Sequence, residues 1–294
     1  MKKTKHKVQK KWFKKINKIH SKKHKYFNSK RIKKYYYGGD HEYKLIGTGY
    51  KVQVLVKLGE PRFVFKIYEP SHDTELSKKQ CSIQEKIQTF EEIYTFFDVK
   101  IPKLYSCRED SSGQTILKFQ RIYNMSDRDI DNPTQPINIL LKNDDIDKYI
   151  DKKDKPLNYI KTIIGDDMYH SYIFDLGGLF AILNFICQIK TDDVEIVFGK
   201  LKIDGPPKLF IIDFDQCNSY NLENILTKFI TMPKYSNMDF DILGRKHQMT
   251  LRELDIESRN SFKDGYLTYA KTTHAYTTNP IELEKLVNNV FNNY

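Results

Sequence analysis

Leu209-Phe210-Ile211-Ile212-Asp213-Phe214-Asp215-Gln216-Cys217 is the stretch that decides how this chain is read. Four consecutive large apolar residues without a charge describe a buried strand, and that strand stops on two carboxylates separated by one phenylalanine. Such an acid pair either caps the strand or holds a cation. Upstream, Asp204-Gly205-Pro206-Pro207 is a turn, preceded by Thr191-Asp192-Asp193-Val194-Glu195-Ile196-Val197-Phe198-Gly199, an acidic stretch running into more apolar sequence. Earlier still, Tyr172, Ile173, Leu176, Leu179, Phe180, Leu183, Phe185 and Ile186 fall at helical spacing and predict a central buried helix over 170–189. The order is helix, acidic loop, hairpin, strand, acid pair.

The first half is β-rich in pattern. Tyr43 to Ile46 is followed by Gly47-Thr48-Gly49, then by Val52, Val54 and Val56 in alternation, the turn Gly59-Glu60-Pro61, and Phe63-Val64-Phe65-Lys66-Ile67-Tyr68. Lys66 in the middle of an apolar strand is costly unless paired. Two close glycines let backbone N–H groups approach a phosphate, with a lysine on the next strand within reach of it, although a plain hairpin uses the same residues. Ile83, Ile87, Phe90, Ile93, Tyr94 and Phe97 predict a helix over 82–97 with Glu85 in its first turn, able to set a carboxylate against Lys66. Strands are expected at 101–105 and 115–122.

Glycine turn, strand lysine, helix glutamate and strands leading to a hinge at Gln120 to Tyr123 resemble the small lobe of the protein-kinase-like fold. The second half follows the order of its large lobe. The resemblance implies an α+β, two-lobed protein-kinase-like fold with a small β-rich N-lobe over 40–124 and a mainly helical C-lobe over 125–294. An acidic and polar insertion occupies 125–156. It also implies ATP and Mg2+ as cofactors, with Gly47, Gly49, Lys66 and Glu85 binding the nucleotide, Asp213 and Glu195 holding the metal, and Asp192 or Asp193 as catalytic base. Val52 stands where a third glycine belongs, the loop is short, and no His-x-Asp precedes it. Asp215 replaces a glycine, as in aminoglycoside-phosphotransferase-like members.

A narrower resemblance is carried by Asp192-Asp193-Val194-Glu195-Ile196-Val197-Phe198-Gly199 and Phe210-Ile211-Ile212-Asp213-Phe214-Asp215-Gln216-Cys217. These are similar to the Asp-Val-Glu-Phe-Val-Leu-Gly and Leu-Asp-Phe-x-Gln-Cys stretches of a mostly fungal domain family of unknown function, grouped with zinc-finger proteins. Phe65-Lys66-Ile67, Gln84-Glu85, Ile101-Pro102-Lys103-Leu104-Tyr105, Gln120-Arg121-Ile122 and Phe262-Lys263-Asp264-Gly265-Tyr266 look like its other blocks, over roughly residues 43–270.

The 294 residues carry a net charge of +11, but residues 1–34 hold sixteen Lys or Arg and no acid. The remainder, 33 basic against 38 acidic residues, is mildly acidic. The arm, residues 1–37, is therefore read as a disordered segment, with Trp12, Ile16 and Ile19 at the spacing of a short amphipathic helix. Its partner is a nonspecific nucleic acid or another anionic surface, if it has one beyond solvent. Cys81, Cys107, Cys187 and Cys217 lie far apart without a C-x-x-C pair and are expected to be reduced thiols. No stretch reads as a membrane span or secretory signal, so an intracellular protein is expected, cytoplasmic, nuclear or in a virion. The Lys-, Asn-, Ile- and Tyr-rich composition suggests an AT-rich genome such as that of a large DNA virus. The expected function is that of a pseudokinase, with a possible protein partner, or a weak ATP/Mg2+-dependent phosphotransferase. The alternative is a nucleic-acid-associated or scaffold protein acting through the arm.

Overall fold

β-branched and aromatic residues at alternate positions from Tyr43 onward pair into five antiparallel strands, β1 Tyr43–Gly49, β2 Val52–Lys57, β3 Phe63–Tyr68, β4 Leu104–Glu109 and β5 Thr115–Gln120, in the order β1-β2-β3-β5-β4. The computed structural model describes residues 43–49, 52–57, 59–68, 74–90, 93–111, 113–127, 134–231, 243, 251–273 and 280–292, all within the compact unit His41–Tyr294. The arm lies outside the described residues. Val52, Tyr68, Leu104, Leu117 and Phe119 form the core of this first sheet.

The helix between β3 and β4 departs from the expected 82–97. Instead, α1 spans Thr74–Gln88, and a separate short helix, α2, spans Ile93–Phe96. The inner face of α1 begins with Leu76 and continues through the buried polar residues Ser77, Gln80 and Gln84, which mask its apolar period. Gln84 Nε2 donates to Pro102 O at 2.8 Å, so this polar face is bonded to the chain entering β4. The cysteine expectation is corrected in part. Cys81 on α1 and Cys107 on β4 are joined as a disulfide, with Cα atoms 6.2 Å apart, while Cys187 and Cys217 are free and buried. Sequence separation hid the pair because the sheet brings the two elements together.

A second sheet, β10-β9-β6-β7, contains β6 Ile137–Leu140, β7 Asp154–Pro156, β9 Glu195–Lys200 and β10 Pro207–Ile212. The apolar island of the 125–156 segment thus becomes β6, antiparallel to β9 and parallel to β7. A two-stranded ribbon pairs β8 Ile189–Lys190 with β11 Asn218–Ser219. Hydrogen bonds join the two larger sheets: Lys100 N donates to Leu209 O, and Tyr123 and Lys200 exchange both backbone bonds at 2.8 Å.

The C-terminal part is helical, with α3 Asn158–Ile164, α4 Asp166–Ala181, α5 Leu222–Thr231, α6 Ile256–Ala270 and α7 Pro280–Asn292. The central helix α4 continues through a π turn, Ile182–Ile186. It crosses α6, with Phe180 against Phe262 and Phe185 against Tyr266 at ring-centroid distances of 5.8 and 5.7 Å. The fold is α+β, with an antiparallel-sheet N-terminal part and a helical C-terminal part. Among the described residues no helix is long and apolar enough to cross a membrane.

Candidate active site

Lys66 lies on β3, the middle strand, between Val54 of β2 and Leu117 of β5. It is 8% exposed, and a buried ammonium must find anions or dipoles. Nζ donates to Asp213 Oδ1 at 2.7 Å, to Gln80 Oε1 at 3.0 Å and to Asp215 Oδ2 at 3.4 Å. Burial alone would lower its pKa, but Asp213, Tyr68 and Asp215 outweigh it and hold the ammonium well above the usual lysine range. A folded-state value above the unfolded one gives stability that is complete below the unfolded pKa of about 10.4 and is lost only as pH rises through the folded value. Lys66 is therefore charged and clamped throughout the neutral range.

Asp213 follows the last residue of β10 and has φ 62°, the left-handed region that aspartate tolerates better than most side chains. This turn redirects the chain, buries Phe214 to 1% exposure and lets Asp215 reach the same lysine. Burial raises the Asp215 pKa; Lys66 opposes that shift and the neighbouring Asp213 adds to it. Tyr68 Oη stands 3.3 Å from Asp215 Oδ2 and also donates to Gln80 Oε1.

Lys66, Gln80, Asp213 and Phe214 line a cleft of 530 Å3 between the two larger sheets, whereas Tyr68 and Asp215 are not part of its lining. Val52, Val64 and Phe119 wall it on the N-terminal side, and Ile122, Val197 and Ile212 on the other. Gly47 lines its edge beside Gln135, while Gly49 ends β1 paired with Val52; residues 50 and 51 of the turn lie outside the described residues. Glu195 opens β9 opposite Ile212 and lines the same cleft.

Gly47, Lys66, Glu195 and Asp213 are thus brought together. Glu85 is not: it is exposed on α1, and Gln80 takes the place opposite Lys66. Five residues separate the two, about 140° around a helix, so one cannot face the cleft when the other does. Asp192 and Asp193 do not line the cleft either. Asp192 pairs with Lys190 at 3.3 Å. Burial, opposed by an Asp193 backbone bond and aided by Asp192 and Asp213, pushes the Cys217 thiol up to about 12, so the acidic turn and Asp213 both act on this thiol.

Three contributors were missed from sequence. Gln80 lay within the signal, since Leu76, Gln80, Ile83 and Ile87 keep helical spacing. Asp215 was visible as an acid but not as a lysine partner. Asn184, wholly buried in the π turn, had no signal. Its Nδ2 donates to Ile189 O at 2.8 Å and to Thr191 Oγ1 at 3.4 Å, and its Oδ1 accepts from Tyr266 Oη at 2.8 Å, which ties both ends of the acidic turn's approach to α6.

Among the described residues no three His, Cys, Asp or Glu side chains form a ready metal cage. Mg2+, however, uses one or two carboxylates and takes its remaining oxygens from water and phosphates. Asp213 and Glu195, two hard-oxygen donors on one cleft, fit that requirement.

No family model and no curated protein matches the chain. Solved structures that resemble it include aminoglycoside 2'-phosphotransferase-IIIa in its GDP complex, at 10% identity and a TM-score of 0.33, covering 86% of this chain and 93% of that one. A thermostable mutant of aminoglycoside phosphotransferase APH(4)-Ia, apo form, aligns at 10% identity and a TM-score of 0.28, covering 85% and 92%. Likeness of this size carries no argument about activity, and the α+β class rests on the chain's own sheets and helices.

Proposed function

We propose that this protein is a divergent kinase-like nucleotide-binding protein, a pseudokinase or a slow ATP- and Mg2+-dependent phosphotransferase. The observation that carries the reading is the 2.7 Å contact between Lys66, on the central strand, and Asp213, at the end of β10, inside one largely apolar cleft. Apolar walls suit a planar base, and a buried ammonium suits phosphate oxygens. Asp213 and Glu195 would hold Mg2+, which when bound neutralises charge on the transferred phosphoryl group. Lys66 then orients phosphates and the cleft walls exclude water from them. A base near the accepting hydroxyl is the weak point, since Asp192 is turned to Lys190 and neither acid of the turn lines the cleft. This favours binding with slow or absent turnover.

Thermal denaturation with ATP, with and without Mg2+, tests the reading. ATP with Mg2+ at about a hundred times Kd should add roughly 2.7 kcal/mol of stability. Asp213→Asn keeps the shape but removes the charge a dication needs, so the Mg2+-dependent part should vanish. A shift independent of metal would indicate a pseudokinase cleft. No shift at millimolar ATP under either condition would defeat both forms of the reading. Because neither acid of the turn lines the cleft, Asp192→Asn with Asp193→Asn should leave both nucleotide binding and any measurable transfer unchanged, and loss of transfer in that variant would show that the turn reaches the cleft when nucleotide is bound.

A second reading rests on the charge of residues 1–34, sixteen basic and no acidic side chains. Through this arm the protein would contact nucleic acid or another polyanion in an intracellular setting. Removing residues 1–37 should abolish salt-sensitive retention on heparin or DNA without lowering the melting temperature of the remainder. Unchanged retention would refute it.

A further inference from the structure

The buried face of α1 is polar yet uncharged where it meets the lysine: Ser77, Gln80 and Gln84 point inward, while the carboxylates Glu75 and Glu85 are both exposed. Helix α1 thus supplies Lys66 with an amide oxygen and no counter-charge. We propose that Asp215 is the positioning residue that holds Lys66 in place, so that the charge α1 lacks comes from the segment after β10. The role assigned to Lys66 rests on the nucleotide reading above.

Three observations support this assignment. First, Lys66 Nζ and Tyr68 Oη each stand within hydrogen-bonding range of both Gln80 Oε1 and Asp215 Oδ2, so the four side chains close a ring in which Asp215 is the one anion. Second, Asp213 makes the shorter contact with Lys66 but also lines the cleft, where a dication brought by a nucleotide would compete for its oxygens. Asp215 neighbours Asp213 but does not line the cleft, so its contact with Lys66 is set back from the cleft surface that a nucleotide would occupy. Third, Asp215 is held on both sides in the chain, by the buried Phe214 and by the backbone bond from Cys217 N to Phe214 O at 3.2 Å. Asp213 is then free to change partner when ligand arrives, while Lys66 retains a counter-ion. The position of the lysine follows β10 and its following turn, not the charge of α1.

The test moves the carboxylate from one side of Lys66 to the other. Asp215→Asn, Gln80→Glu, the double variant and Glu85→Gln would each be prepared in the full chain. Two measurements apply: acetylation of Lys66 by acetic anhydride at one fixed pH, read by mass spectrometry without nucleotide, and the thermal shift with ATP and Mg2+. Asp215→Asn removes one of the partners that hold the buried Nζ, so Lys66 should label several-fold faster than in wild type. It should also bind ATP more weakly. The double variant should return both values toward wild type, because Gln80→Glu puts a carboxylate where an amide oxygen now sits 3.0 Å from Nζ. Glu85→Gln should change neither. The proposal is overturned if Asp215→Asn labels like wild type, or if Gln80→Glu does not restore it. Should Asp215→Asn fail to fold, recovery of folding in the double variant supports the proposal and continued failure overturns it. Absence of any ATP shift in wild type would refute the nucleotide reading alone, since the labelling still decides whether Asp215 anchors the lysine.

Discussion

Gly265→Ala is expected to lower stability by about 3 kcal/mol or more, although alanine is the better helix former by about 1 kcal/mol. A Cβ at Gly265 of α6 would lie 1.9 Å from the carbonyl oxygen of Phe174 on α4, and one at Gly177 of α4 would lie 2.1 Å from that of Phe262 on α6. Each helix therefore approaches the other's backbone through a glycine. The obstacle is main chain, which cannot rotate away as a side-chain end can. The helices would have to separate by more than about 1 Å, undoing the contacts of Phe180 and Phe185 with Phe262 and Tyr266. For a chain of this size a loss of 3 kcal/mol should lower the melting temperature by roughly 6–12 °C. Gly59→Ala is the control, because a Cβ there meets nothing within 4 Å and should change stability by no more than about 0.5 kcal/mol. A Gly265→Ala protein melting with wild type would show that the helices do not cross at this point.

Arg121→Met should be comparably damaging for an electrostatic reason. The Arg121 side chain is fully buried at the joint between the two larger sheets, its Nη2 donating to the equally buried Asp127 at 3.2 Å and its Nη1 to Pro61 O at 3.0 Å. Its guanidinium carbon lies 4.2 Å from the centroid of the Tyr123 ring, and Asp127 also accepts from Asn124 N and Thr134 Oγ1. Methionine replaces the packing of the arginine stem but leaves the Asp127 carboxylate buried without its cation. Breaking such a pair from one side costs about 3–5 kcal/mol, whereas replacing both partners with apolar residues is often nearly neutral. Arg121→Met with Asp127→Leu is therefore expected to melt closer to wild type than Arg121→Met alone. Urea titration of the three proteins checks this, and a single variant as stable as wild type would show that the pair contributes nothing at the joint.

The amino-acid sequence by itself determined the elements with strong local periodicity. The alternation of Val52, Val54 and Val56, the lysine within Phe63–Tyr68, the central helix and the strand that stops just before Asp213 all reappear, because a pleat and a helical turn impose their periods on the residues that line a core. It also marked Lys66, Asp213, Glu195 and Gly47, since a buried lysine and acids at a strand end need partners wherever the chain goes. Tertiary structure alone decided who those partners are. A shift of the helix start from 82 to 74 turned Glu85 to solvent and Gln80 to Lys66, and periodicity could not set that start because the inner face of α1 carries polar residues that bond across to Lys66 and to Pro102. Asp127 and Arg121, Cys81 and Cys107, Gly177 and Phe262, and Lys66 and Asp215 lie from 6 to 149 residues apart in sequence. No local pattern encodes such pairs. They exist because burial must satisfy every charge, thiol and backbone contact at once, and that condition holds only when sheets and helices have packed.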